Sequence, residues 1–255
     1  MRNLKFIVPC SILLACSSQE NNKNVSKVEE DKSVELDSSI AHHPLAKKQL
    51  IDSTVLQSLN LVKVTDINPS IFVDLKYASA DNFMHQQLYA KIDDAYLLRE
   101  VAVRLGKCQD FLNSIDPKLH LLVYDAIRPV SVQQKMWDAL DSIPVSRRGL
   151  FVSNPKNRSV HNYGAAVDIT ICDAQGKPLD MGAGFDDIRK IAYPSKEQYF
   201  LEKGELTQVQ VNNRKLLRRV MNSQKFSNIP SEWWHFNAFS RKTIATNYKP
   251  LLEEF

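Results

Sequence analysis

The chain has 255 residues, of which 44% are hydrophobic and 24% are charged, so it can bury one substantial core or two small ones. Its formal net charge of +4 is too small to indicate nucleic-acid binding. The sequence also has no RNP, zinc-finger or basic-stripe pattern, so we expect no nucleic-acid partner.

The first residues of the chain resemble a bacterial export signal. A basic segment, MRNLK (1–5), precedes the apolar stretch FIVPCSILLA (6–15), which is too short to span a bilayer as a helix. The tetrapeptide LLAC (13–16) resembles a lipobox, in which the cysteine is lipidated and becomes the mature N-terminus. We therefore expect residues 1–15 to be a lipoprotein signal peptide and Cys16 to be lipidated. An ordinary cleaved signal is the alternative.

A polar tether follows the predicted lipidation site. The segment from residue 17 to about residue 39 is rich in Ser, Asn, Lys and acids and has no aromatic residue, so it cannot bury enough surface to fold. We expect a flexible tether over residues 16–44 and a folded domain over residues 45–255. The predicted location is the periplasmic side of the bacterial cell envelope, with the lipid anchor as the sole membrane contact. The outer membrane is favoured, because Ser17-Ser18 contains no recognisable inner-membrane retention signal.

Hydrophobic periodicity past the tether predicts interleaved strands and helices. Apolar residues alternate over 71–77, 119–123 and 165–171, which predicts three strands. Helical spacing runs from Leu98 to Leu112, after an expected N-cap at Asp93-Asp94, and again over 131–140 and 209–221. No internal repeat is visible, so we predict a single α+β domain. Cys108 and Cys172 fall inside it, and the sequence does not determine whether they pair.

Two histidines and an aspartate in this domain form a possible metal-binding set. Alone, His161 would ordinarily be a hydrogen-bonded histidine and Asp168 a solvated acid. Together with His235 they are the ligand set that zinc takes in hydrolytic sites, with a fourth position open to water. On one regular strand His161 and Asp168 would point to opposite faces, so we place His161 in the loop before the strand, where Gly164 allows a bend. His235 would then arrive from a separate strand.

The segment SEWWHF (231–236) places an acid three residues before His235. A carboxylate near zinc-bound water can act as general base and later pass the proton to the leaving amine, which is the role we assign to Glu232. This placement requires a turn or bulge near Pro230, because Glu232 and His235 would otherwise face opposite sides of a strand. Trp233 and Trp234 could exclude water from the site, or could equally be ordinary core residues.

An arginine ends the segment YDAIRP (124–129), immediately before a proline. Arginine stays charged and offers a rigid fork of donors, which suits the oxygen of a tetrahedral intermediate. Taken alone, Arg128 would more often be a surface or salt-bridging residue.

Four segments resemble the zinc D-alanyl-D-alanine dipeptidases of the VanX type, subfamily D of the peptidase family M15. They are S-x-H-x-x-G-x-A-x-D (159–168), D-x-x-R-P (125–129), E-W-W-H (232–235) and DLKYASADNF (74–83), and the resemblance covers about residues 60–245. It implies one compact zinc D,D-peptidase domain, of the α+β fold shared with hedgehog domains, with a central antiparallel sheet and flanking helices. The implied roles are one Zn²⁺ per chain on His161, Asp168 and His235, Glu232 as base, Arg128 at the transition state, Asp186 at the substrate ammonium group, and Ser159 against substrate.

The predicted function is hydrolysis of the D-alanyl-D-alanine dipeptide to two D-alanines, in the turnover of cell-wall dipeptides. The turn reads Ala126-Ile127 where the family pattern leads us to expect Gly-Tyr, which leaves the shape of the subsites open. One alternative is a zinc D,D-carboxypeptidase that acts on longer peptidoglycan peptides, and Asp186 is the residue that would decide between them. The other alternative is a non-catalytic lipoprotein that binds peptidoglycan.

Overall fold

The computed structural model of the protein describes residues 52–149 and 151–255. The predicted signal peptide, Cys16 and the tether lie outside these residues, so those expectations stay predictions. In chain order the elements are α1 (Ser53–Ser58), β1 (Leu61–Lys63), α2 (Val64–Ile67), β2 (Phe72–Val73), β3 (Tyr96–Leu98), α3 (Arg99–Ile115), β4 (His120–Asp125), α4 (Val130–Ala139), α5 (Val145–Arg148), β5 (Ala166–Cys172), α6 (Glu197–Glu202), α7 (Gln208–Ser223), β6 (Ser227–Asn228), β7 (His235–Asn237) and α8 (Arg241–Asn247). None of the helices within the described ranges is long and apolar enough to cross a membrane.

A five-stranded sheet in the order β2-β4-β5-β7-β6 forms the centre of the domain. Neighbouring strands within this sheet run antiparallel, except that β2 and β4 are parallel. Strands β1 and β3 form a separate antiparallel pair. The predicted α+β fold with a central antiparallel sheet is therefore confirmed, with one parallel pair at its edge.

The two long helices α3 and α7 pack against each other and against the sheet. Their apolar stripes supply fully buried side chains, among them Leu105 and Leu112 from α3 and Leu217 and Val220 from α7. Between its two neighbours, β5 is buried along its whole length. Alternation along β5 places Asp168 and Thr170 on the face opposite Val167, Ile169 and Ile171, so an acid is held inside the domain.

Two features of the N-terminal half differ from the sequence prediction. The strand expected over 71–77 is short: its pairing with β4 covers Phe72 and Val73 and ends with the bond from Asp74 N to Val123 O, and Lys76–Ala78 form a 3-10 turn. The backbone carbonyl of Tyr77 there accepts the amide N–H groups of both Leu88 and Tyr89, which replaces ladder pairing. The N-cap expected at Asp93-Asp94 is also wrong, because β3 intervenes and α3 begins at Arg99.

Residues 251–255 form a tail that connects two turns through hydrogen bonds. The backbone N–H of Leu251 donates to Asn162 O at 2.7 Å, and Leu251 O accepts from Val130 N at 3.0 Å. The carboxylate of Glu254 accepts backbone N–H groups from residues 90–92. The ring of Phe255, which is buried, lies with its centroid 5.4 Å from that of Tyr96. The tail therefore joins the turn after Arg128 to the turn that carries His161.

Both cysteines of the described domain are free thiols buried in the core. Burial raises the pKa of Cys108 to about 12 and that of Cys172 to about 11. Protonated, buried thiols are poor nucleophiles and poor metal ligands, so these two residues act in packing.

Candidate active site

Strand pairing brings two of the predicted metal ligands side by side. Asp168 on β5 lies directly opposite His235 on β7 in the antiparallel register. His161 comes from a 3-10 turn over Val160–Tyr163 that precedes β5, as the sequence predicted. Gly164 ends this turn with φ +65°, and a Cβ there would come within 2.8 Å of Leu61 Cδ2. Glycine is thus required both for the left-handed backbone and for the space.

The three side chains converge on one point. The Nε2 of His161 lies 3.1 Å from His235 Nδ1 and 3.3 Å from Asp168 Oδ1. His235 Nδ1 lies 2.9 Å from the same Asp168 oxygen. A tetrahedral zinc ion with ligands at about 2.0–2.1 Å separates its ligand atoms by roughly 3.3 Å. The spacing of the three donor atoms therefore fits one such ion.

The outer hydrogen bonds of the two histidines determine which ring nitrogen is available to a metal. His161 Nδ1 donates to the backbone carbonyl of Ala126 at 2.7 Å, which leaves the lone pair on Nε2. His235 Nε2 donates to Asn237 Oδ1 at 3.0 Å, which leaves the lone pair on Nδ1. In these tautomers two nitrogen lone pairs and a carboxylate oxygen face one another, and without a metal a proton on His235 Nδ1 can bond to Asp168 instead. The cluster can therefore hold a cation.

The electrostatics of the cluster also favour positive charge. Burial by itself would raise the pKa of Asp168, but His161 and His235 lower that pKa well below its usual range. Burial likewise disfavours the charged form of His235, yet its hydrogen bond to Asp168 raises its pKa. The carboxylate of Asp168 is therefore ionised and attracts a cation into the cluster.

Glu232 lies beside the cluster without joining it. A turn at Pro230 and Ser231 precedes it, as the sequence predicted, and β7 begins three residues later. Its Oε2 is 4.0 Å from His235 Nδ1. Burial raises its pKa, and the negative charge of Asp168 adds to the effect. A carboxyl group with a raised pKa next to a metal-binding cluster is suited to accept and return a proton.

Arg128 is buried and held on several sides. Its Nε and Nη2 donate to Asp125 Oδ2 at 2.9 and 2.5 Å, and its Nη1 donates to Gln133 Oε1 at 3.1 Å. Nη2 also lies 3.4 Å from Asp168 Oδ2, and the guanidinium carbon is 5.0 Å from the centroid of the Tyr77 ring. Although burial opposes the charge, Asp125 raises the pKa of Arg128 well above its usual range. The guanidinium is thus a fixed positive charge next to the metal-binding cluster.

Asp186 occupies a strained position at the edge of the same space. Its backbone is left-handed, with φ +60°. Both carboxylate oxygens lie 3.1 Å from the hydroxyl of Tyr77. Burial raises the pKa of Asp186 to about 8, and the negative charges of Asp168 and Glu232 act in the same direction. A carboxyl group in this environment is stabilised in its ionised form by an added positive charge.

One cavity of about 710 Å³ contains all of these groups. Its lining includes every site residue predicted in the folded domain: His161, Asp168, His235, Glu232, Arg128, Ser159 and Asp186. One part of the wall is apolar and is formed by Met136, Leu140, Ile143, Phe151 and Val152. Cys16 lies outside the described residues. The structure brings the seven residues together, and their individual roles stay predictions.

Sequence reasoning missed the residues that orient the site. Asn237 follows His235 at the spacing that shares a strand face, so an H-x-N pattern could have indicated it. The Tyr89 hydroxyl donates to Asp125 Oδ1 at 2.5 Å, but it lies 36 residues away in the chain and carries no local signal. The side chain of Asn162 donates to Arg128 O at 2.7 Å, which links the two turns.

Comparison with known proteins gives consistent results. The family model Peptidase_M15, described as D-ala-D-ala dipeptidase, matches residues 57–250. A D-alanyl-D-alanine dipeptidase of Escherichia coli (strain K12) is 31% identical over 195 residues, which cover 76% of this chain and 91% of that protein. Proteins of the same name from Synechocystis sp. and Enterococcus faecalis are 33% and 24% identical, over 56% and 64% of this chain and 69% and 83% of theirs.

Among solved structures, a VanY D,D-pentapeptidase variant from a VanB-type vancomycin-resistance cassette, in complex with Zn(II), is 15% identical. It matches with a TM-score of 0.31, over 59% of this chain and 76% of that chain. The family match extends from α1 to the tail and includes every predicted site residue of the folded domain. The chain therefore belongs to the peptidase M15 family of D-Ala-D-Ala dipeptidases.

Proposed function

We propose that the protein is a zinc-dependent dipeptidase that hydrolyses D-alanyl-D-alanine to two D-alanines. Family membership and the names of its relatives support this substrate. The observation that carries the proposal is the convergence of three lone-pair donors within about 3 Å of one another, with a free carboxylate 4.0 Å away. This set has the ligands and the base of a metal-assisted hydrolase.

The metal would be held by His161 Nε2, Asp168 Oδ1 and His235 Nδ1. When bound, zinc supplies a nucleophile at neutral pH and polarises the scissile carbonyl. Glu232 takes the proton from the attacking water and passes it to the leaving amine nitrogen as the C–N bond breaks. Water thus contributes its oxygen to the new carboxylate, and the proton ends on the released D-alanine.

Two further groups complete the proposed reaction. Arg128, which Asp125 and Gln133 hold in place, stabilises the oxyanion that develops on the carbonyl oxygen. Asp186, oriented by the Tyr77 hydroxyl, binds the free ammonium group of the substrate. That ion pair would lower the pKa of Asp186 and would favour substrates with a free amino group next to the scissile residue.

The size of the cavity favours a second candidate, a D,D-carboxypeptidase. A volume of about 710 Å³ is in the range that accommodates drug-sized ligands, and a dipeptide of two alanines is much smaller. The apolar wall formed by Met136, Leu140 and Phe151 leaves room for more of a peptidoglycan peptide. The dipeptidase proposal predicts that Asp186 excludes such peptides, because they place an amide where the ammonium would lie.

The test uses the purified full-length chain loaded with zinc. Release of free D-alanine is followed with D-Ala-D-Ala and, separately, with a pentapeptide that ends in D-Ala-D-Ala. Glu232→Ala is the inactive control, and Glu202→Ala removes an exposed carboxylate on α6 as the matched control. Release from the dipeptide alone, lost in Glu232→Ala, supports the dipeptidase. Release mainly from the pentapeptide supports the carboxypeptidase, and release from neither supports a binding protein.

We also propose that the protein is a lipoprotein of the cell envelope that degrades D-Ala-D-Ala released from the cell wall. The signal-like segment 1–15 and the lipobox-like LLAC (13–16) support this location. Labelled palmitate should be incorporated into the wild type and not into Cys16→Ser, and the wild type should fractionate with membranes. A wild-type protein that is unlabelled and found in the cytoplasm would contradict the proposal.

A further inference from the structure

The reaction proposed above leaves the carboxylate end of the substrate without a charged partner. A dipeptide carries an ammonium group at one end and a carboxylate at the other, and removing a carboxylate from water is costly unless a cation or several donors replace the water. Asp186 serves the ammonium end. Apart from the two histidines of the metal cluster, the cations among the residues that line the cavity are Arg128 and Arg241.

Arg128 is already engaged. Each of its three guanidinium nitrogens has a protein acceptor, on Asp125 or Gln133, and Nη2 also approaches Asp168. Its charge is balanced by two buried carboxylates. The proposed reaction assigns its remaining donors to the oxyanion, so a substrate carboxylate would compete with that role.

Arg241 is not engaged in this way. It is the first residue of α8 and is exposed, and its guanidinium forms no hydrogen bond or ion pair with another residue in the described ranges. Arg189, which lies outside this cavity's lining, is by contrast paired with Asp187 at 2.6 Å. Within the described part of the chain, Arg241 is therefore the cavity-lining arginine whose donors are available to a ligand.

Arg241 lines the same cavity as the three residues of the metal cluster. It follows β7, which begins with His235, and the connecting residues Phe239 and Ser240 also line the cavity. Helix α8 packs against the 3-10 turn that carries His161 and follows Ser159. Asp186, in contrast, is anchored on Tyr77 at 3.1 Å. A positive and a negative group thus line the same cavity from different elements, as a substrate with opposite charges at its ends requires.

We propose that Arg241 binds the C-terminal carboxylate of the substrate. The planar guanidinium can donate two parallel N–H bonds to the two carboxylate oxygens. The inference rests on the proposed hydrolase function, and it holds for a dipeptide and for a longer peptide, because both end in a free carboxylate. It distinguishes this chain from one in which Ser159 alone contacts that end of the substrate.

The test compares D-Ala-D-Ala with its C-terminal amide, which lacks the negative charge. Arg241→Ala is expected to lower kcat/KM for the free acid by about tenfold or more, mainly through KM, and to leave hydrolysis of the amide unchanged. Arg241→Lys keeps the positive charge but lacks the forked guanidinium, so its kcat/KM for the free acid should lie between those of the wild type and Arg241→Ala. Lys242→Ala, which removes a neighbouring exposed cation on α8, should match the wild type.

Two results would overturn the inference while leaving the proposed function intact. One is an Arg241→Ala enzyme that loses the same activity on both substrates or on neither. The other is a preference for the free acid that disappears in Ser159→Ala and persists in Arg241→Ala. A wild-type enzyme that releases D-alanine from no substrate would instead reject the proposed function, and the role of Arg241 with it.

Discussion

Replacing Asn237 should weaken zinc binding without disturbing the fold. The side-chain oxygen of Asn237 accepts the Nε2 proton of His235 at 3.0 Å and so keeps the Nδ1 lone pair directed at the metal. In Asn237→Ala the ring can also adopt the tautomer with the proton on Nδ1, and that nitrogen then has no lone pair for the metal. Loss of such an outer hydrogen bond costs about 10–100-fold in metal affinity, which is about 1.4–2.8 kcal/mol.

The measurement is a zinc titration against a chromogenic chelator at fixed pH, with thermal unfolding of the metal-free protein alongside. Metal-free Asn237→Ala should unfold at nearly the same temperature as the metal-free wild type. Residue 237 pairs with Ala166 and Ser227 through its backbone, which the substitution leaves in place. Asn237→Asp keeps an acceptor oxygen and should retain zinc. Asn247→Ala removes an exposed amide on α8 and serves as the surface control. An Asn237→Ala protein that binds zinc as tightly as the wild type would refute the reasoning.

Three further changes test other parts of the site. Arg128→Lys should lower kcat by ~10²–10³ and retain zinc affinity, because lysine lacks the forked guanidinium that Asp125 orients. Steady-state kinetics and a zinc titration measure the two effects. An unchanged kcat would contradict the role proposed for Arg128. Tyr77→Phe should raise KM for the dipeptide about tenfold with little change in kcat, because Asp186 loses the hydroxyl that contacts both its oxygens; a fall confined to kcat would argue against this. The metal-free protein should lose stability as pH rises from about 4 to about 8, because burial raises the pKa of folded Asp186 to about 8 and the unfolded chain releases that proton near pH 4. Thermal unfolding in a chelator measures this slope, which Asp186→Asn should flatten, and an equal slope in both proteins would exclude Asp186 as its source.

The elements that the sequence predicts best are those whose apolar pattern is long enough to select one period. Helix α7 and strand β5 are of this kind, and the structure has both within two residues of the predicted limits. Over residues 71–77 the alternating apolar pattern predicted a strand that is longer than the one observed. Leu75 and Tyr77 are buried at a 3-10 turn, and a turn can bury alternate residues just as a strand does. Strand β3, with three residues, offers too short a pattern to be detected.

The site divides in a similar way. Zinc takes few types of protein ligand, so two histidines and an acid in one domain already indicate a metal site. The structure brings those three residues, His161, Asp168 and His235, together. The residues that orient this site, such as Asn237 and Tyr89, are of types that occur throughout proteins, so their types alone indicate no role. Tyr89 reaches Asp125 across the fold, and that contact depends on a tertiary arrangement that no local pattern encodes.

The docking of residues 251–255 has a practical consequence for work with this enzyme, because it makes a distant segment sensitive to proteolysis in its effect on the site. Leu251 bonds the backbone of the turns that carry Arg128 and His161, Glu254 binds the backbone of residues 90–92, and the Phe255 ring is buried. A proteolytic cut between Tyr248 and Leu251 would release these contacts together and would loosen the turns that carry Arg128 and His161. Activity lost in such a nicked protein would reflect the contacts of the tail rather than any change in the residues that line the cavity.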